Sequence, residues 1–196
     1  MLHHVWGLLA HPRQEWREIY GEEETVTQMY MRHVLILAAV PVICAFIGTT
    51  TVGWHFGGNE RIPLTAVSAL QLAVVFYLAI IGAVGLMGYV IYRMAKRYTS
   101  PPGIKRCIIF AGYVATPIML AGIVALYPLI WLCLLAGIIG LCYSAWLLYL
   151  GVPGFLDITR GESFYVSSLT FAIGVLVLEA LLAVTVLLWG YGTHLV

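Results

Sequence analysis

Glu179 is the only charged residue between Ser167 and Tyr191, and it stands twelve residues from either end of that apolar run. An acid at the centre of a membrane helix costs about 2.5–3.5 kcal/mol on insertion scales, so it is expected to face protein or water. Helical spacing puts Ser168, Ala172, Val175, Glu179, Ala183, Val186 and Gly190 on one stripe, rich in small residues and suited to close packing. The chemistry open to Glu179 is that of a carboxylic acid donating a hydrogen bond, or of a reversible proton site on a polar path. Tyr113, Thr116 and Gln71 are candidate partners. So are the carbonyls of Leu37 and Tyr113, which Pro41 and Pro117 deprive of their helical N–H donors. Bent helices often border transport sites, which makes both prolines candidates in their own right.

Other chemistry is thinly represented. The chain has no Gly-x-Ser-x-Gly, no His-Glu-x-x-His and no pair of intramembrane aspartates, so no enzyme activity is expected. His3, His4 and His11 have a spacing that could bind metal, but at a chain terminus such spacing is usually incidental. No metal or cofactor is expected. Cys44, Cys107, Cys133 and Cys142 form no Cys-x-x-Cys pair and read as small buried hydrophobes.

The elements that must hold these residues follow from hydropathy. Of 196 residues 62% are hydrophobic and 10% charged, against roughly 25% charged in an ordinary soluble domain. Mean hydropathy is +0.95. Cys107 to Gly151 is 45 residues without a charge, long enough for two crossings at about 20 residues each. Tyr127-Pro128 near its middle turns it into a helical hairpin. The full pattern predicts an all-α membrane protein, a five-helix transmembrane bundle over residues 33–196, with spans at about 33–53, 64–92, 108–126, 129–150 and 167–191. Gly82, Gly85 and Gly88 mark a close-packing face on the second span. Trp54-His55-Phe56, followed by Gly57-Gly58-Asn59, reads as an interfacial aromatic belt and a turn.

Residues 1–32 form a short amphipathic lead-in. Charges interrupt it too often for a signal peptide. Pro12 suits a first helical position, and Trp16, Ile19 and Tyr20 share a face beyond it. With Trp6, Leu8 and Leu9 it either lies in the membrane interface or caps the bundle. Glu22-Glu23-Glu24 before Thr25 marks a break, with acids suited to the positive end of the following helix.

Arg93, Lys96, Arg97, Lys105 and Arg106 flank Thr99-Ser100-Pro101-Pro102-Gly103 in a basic loop. These charges either contact anionic lipid headgroups, at about 1 kcal/mol each, or only set topology. With the N-terminus cytoplasmic, nine of the ten basic residues lie inside and only Arg61 outside, which puts the C-terminus outside. Nucleic-acid binding has no support, and there is no internal repeat.

The lead-in motif Leu9-Ala10-His11-Pro12 with Trp16-x-x-Ile19, the motif Gly112-Tyr113-x-x-Thr116-Pro117 and the five-span layout resemble the Yip-domain membrane proteins. That family is named for Rab-GTPase interaction in eukaryotes, and the bacterial inner-membrane branch is the most similar. The resemblance covers essentially the whole chain. It implies a non-catalytic, multi-pass inner-membrane protein that organises the membrane or serves as an adaptor. Its partners would be the bilayer and a homo-oligomer or an unidentified membrane protein. The chain departs from the eukaryotic pattern in its short lead-in and its lack of an acidic-aromatic cytosolic motif. A bacterial member would have no Rab partner. A different class of function is a transporter or a proton or small-solute pathway using Glu179.

Overall fold

A computed structural model describes residues 2–22, 24–55, 61–62, 65–97 and 101–192. Five helical segments in it are long and apolar enough to cross a membrane: Val26–Val52, Ala66–Ala95, Ile104–Leu126, Ile130–Phe155 and Gly161–Val184. Two shorter helices precede them, α1 (Leu2–Ala10) and α2 (Pro12–Gly21).

The first span opens with a capping box, in which the Thr25 side chain accepts from the Gln28 N–H and the Gln28 side chain accepts from the Thr25 N–H. From this cap the chain runs through α3 (Val26–Met29), a π turn at Tyr30–Val34, α4 (Leu35–Ile47) and a second π turn at Gly48–Val52. It thus becomes helical seven residues before His33. The second π turn has a local cause. Thr49, Thr50 and Thr51 each donate a hydroxyl to a carbonyl three or four residues back, competing with the backbone ladder. Pro41 sits inside α4, which continues through it and lies against Gly122.

Trp54–His55 pairs antiparallel with Arg61–Ile62 in a two-residue ladder. Phe56 and the Gly57-Gly58-Asn59 turn lie outside the described residues, as do Thr99, Ser100 and the tail 193–196. The second span, α5 (Ala66–Ala95), is capped by Thr65. Of its three glycines, Gly88 makes the close approach: a Cβ there would stand 2.6 Å from the Ile108 Cα on the third span. Gly82 faces open space.

The third span is the axis of the bundle. Half of its most apolar stretch is buried, against 17–33% in the other four. It breaks where the sequence places its proline: α6 (Ile104–Val114) ends, Ala115 adopts φ −75° and ψ −10°, and α7 (Thr116–Ala121) restarts with Pro117 in its first turn. A 3-10 turn over Gly122–Leu126 leads to α8 (Ile130–Phe155), and a short loop leads to α9 (Arg160–Gly192).

A buried polar seam beneath the N-terminal helices

The lead-in does not stop at the end of the bundle. Trp16 of α2 is 2% exposed and packs on the rings of Phe110 (centroid distance 4.9 Å) on the third span and Phe155 (5.5 Å) on the fourth, which stack on each other. Leu8 of α1 is fully buried, while Trp6 is turned outward. The Tyr143 hydroxyl reaches the carbonyls of Leu8 and Leu9 at 3.2 and 2.8 Å. Tyr143 lies twelve residues before the end of α8, roughly 18 Å along the helix. The α1–α2 hairpin is therefore wedged alongside the membrane-spanning helices and is more than a cap on their ends. Its composition allows this, since α1 carries no charged residue besides its histidines.

Inserting the hairpin brings polar groups with it. His4 Nδ1 meets a Glu15 carboxylate oxygen at 2.5 Å, and its Nε2 lies 3.5 Å from Glu22. Glu15 is 3% exposed, and Gly7 leaves the space its carboxylate fills. The His4 ring stands edge-on to Tyr113, which donates its hydroxyl to Glu24 at 2.8 Å. The ring of His33 also packs on Tyr113, 4.5 Å between centroids. His33 is buried, its Nε2 2.8 Å from the Thr116 hydroxyl, and its Nδ1 has no hydrogen-bond partner among the described residues. The seam thus runs from acids at the N-terminal end to the broken middle of the third span.

Of the candidate residues read from sequence, Tyr113 and Thr116 join this seam with Pro117 beside them, but Glu179 does not. Glu179 is exposed on α9 and meets no hydrogen-bond or ion-pair partner among the described residues. The expected bonds to Tyr113, Thr116 or Gln71 are not formed. Gln71 itself is exposed in the second turn of α5. The reason is the rotation of α9. Val177, Ala180, Leu181 and Val184 turn toward Ala79, Ala83 and Leu86 of α5, which puts Glu179 on the opposite side. Contact with α8 is made near the start of α9, where Tyr149 bonds Ser168 and its ring meets Phe164. The side chains of Val186 and Gly190 lie outside the described residues.

In the basic loop Arg93, Lys96, Arg97 and Lys105 are exposed. Arg106 is half-buried, its guanidinium 4.0 Å above the Tyr20 ring and 5.4 Å from that of Phe155. The four cysteines are unpaired. Sequence reasoning missed His33, Glu24, Glu15 and Tyr143. His33 directly follows Arg32, so it reads as part of a polar helix start. Its burial is signalled only by the apolar residues on both sides of that pair.

The Yip1-domain family profile matches residues 6–181. The inner membrane protein YohC of Escherichia coli K12 is 54% identical over 192 residues, covering 98% of this chain and 98% of its own. YohC of Escherichia coli O6:H1 strain CFT073 is similar to the same degree. No solved structure matches. With five apolar helices and a match over nearly its whole length, the chain belongs to the Yip1-domain family of multi-pass inner-membrane proteins.

Proposed function

We propose that this is a non-catalytic membrane-organising or adaptor protein that engages other helices within the bilayer plane. The observation that carries this reading is Glu179, exposed within the apolar run of α9 on the same side as Ala172, Leu176 and Ala183. Left facing lipid, the acid would retain its insertion cost of about 2.5–3.5 kcal/mol, which a partner helix would offset. A second copy of the chain suffices. A two-fold contact would withdraw both Glu179 side chains from lipid at once and let each face the polar group of the other. The test is the oligomeric state of the full chain in bilayers, counted by single-molecule photobleaching. Glu179→Gln keeps a donor and an acceptor and should still associate. Glu179→Leu should weaken association about tenfold, as expected for interhelical bonds of about 1–2 kcal/mol. Undiminished association of Glu179→Leu would defeat the reading.

The orientation belongs to the same proposal. The nine-to-one basic bias supports a cytoplasmic N-terminus and an outside C-terminus.

One observation favours a second reading, a proton or small-solute pathway. It is the buried His33, with Nδ1 unpartnered among the described residues, beside the break in the third span. Proton flux above that of empty liposomes, lost in His33→Gln, would replace the adaptor reading.

A further inference from the structure

A cleft of about 290 Å³ opens at the N-terminal end of the bundle, and charges of both signs line it, Glu22 and Glu24 from the lead-in and Lys105 and Arg106 from the start of the third span. Three of the four have a partner in the fold, Glu22 through His4 Nε2 at 3.5 Å. The Arg106 guanidinium is stacked on Tyr20, whose hydroxyl donates to Asp157 at 3.0 Å. The Glu24 carboxylate is fixed by the Tyr113 hydroxyl at 2.8 Å. Yet the opposite charges do not close on each other. Among the described residues neither Lys105 nor Arg106 has a carboxylate within salt-bridge distance. Ile19 and Ile109 continue the wall as an apolar surface.

The cleft's position narrows its ligand. Lys105 and Arg106 stand at the first turn of the third span, and Phe155 ends the fourth, so the cleft opens at the level of lipid headgroups. A purely anionic group would meet Glu22 and Glu24 as well as the cations. A quaternary ammonium could approach the carboxylates but could not donate hydrogen bonds to them. A primary ammonium a few bonds from a phosphate satisfies both sides, with charge-assisted bonds at each end. We propose that this cleft binds a phosphoethanolamine group, its phosphate at Lys105 and Arg106 and its ammonium at Glu22 and Glu24. The inference rests on the membrane placement and not on the partner assigned to Glu179, so either can fail alone.

The experiment is native mass spectrometry of the full chain, released from mixed micelles holding equal amounts of phosphatidylethanolamine, phosphatidylglycerol and phosphatidylcholine. Glu22 and Lys105 are exposed, which makes Glu22→Gln and Lys105→Gln safe for folding. Retained phosphatidylethanolamine should exceed the other two about tenfold, the factor that one charge-assisted hydrogen bond carries. Lys105→Gln should reduce retention of every phospholipid, and Glu22→Gln should abolish the preference over phosphatidylglycerol. Soluble phosphoethanolamine, added in excess, separates the two sources of the group. Displacement of the lipid supports a site that takes the headgroup alone, and persistence of the lipid supports one that also needs the acyl chains. Equal retention of all three lipids, insensitive to both variants, would overturn the proposal. So would a preference of the parent chain for phosphatidylglycerol, which would reduce the cleft to a basic patch.

Discussion

Glu15 and Glu179 are both carboxylates set among apolar residues, and the chain treats them in opposite ways. Glu15 comes from a ten-residue helix rich in charge, yet it is 3% exposed and bonded to His4. Glu179 comes from a long apolar helix, yet it faces outward with no partner among the described residues. A local hairpin accounts for the first: α1 and α2 fold against each other, so donor and acceptor arrive together, eleven residues apart. Glu179 has no such neighbour, because the helix that carries it packs by its other side. Burial of an acid here follows the supply of a hydrogen-bond partner and not the hydropathy of the segment.

This contrast can be broken by experiment. The largest effect should come from Trp16→Ala, which removes the ring that anchors the hairpin on Phe110 and Phe155. Truncating a buried aromatic of this size costs about 3–5 kcal/mol, to be read from denaturant unfolding in detergent. Thr116→Val should cost less, about 1–3 kcal/mol, since it leaves the buried His33 Nε2 without its 2.8 Å partner. Its isosteric shape confines the loss to that bond. Glu179→Leu, measured where the chain is monomeric, should change stability by no more than about 0.5 kcal/mol, because the side chain faces the same detergent in the folded and the unfolded chain. Should Glu179→Leu destabilise the monomer as much as Trp16→Ala does, the contrast between the two acids collapses.

The five helices were legible because each crossing requires a long apolar run, and the break near Pro117 because a missing N–H acts on its own helix. The tight approach of Gly88 to Ile108 was half legible: the small residues announced a packing face, but not which of them would meet a neighbour. What stayed hidden has one physical character. His33 with Thr116, Tyr113 with Glu24 and Tyr143 with Leu8 join residues 83 to 135 positions apart, and no periodicity within a helix records such pairings. The rotation of α9 was hidden likewise. Its apolar residues surround the helix, so hydropathy could not say which side meets α5.

The wedged hairpin also has a consequence in time. Synthesis makes α1 well before the Tyr143 hydroxyl that grips it, with 135 residues between Leu8 and Tyr143. At about 5–20 residues per second, the ribosome needs roughly 7–27 s to cover that distance. For that interval the nine residues of α1 have α2 to fold against but not the fourth span. Docking of α1 on Tyr143 then has to follow synthesis of the fourth span, so a segment made early finds its place late. A bulky fusion at residue 1 would delay or block that closing step while leaving the spanning helices inserted.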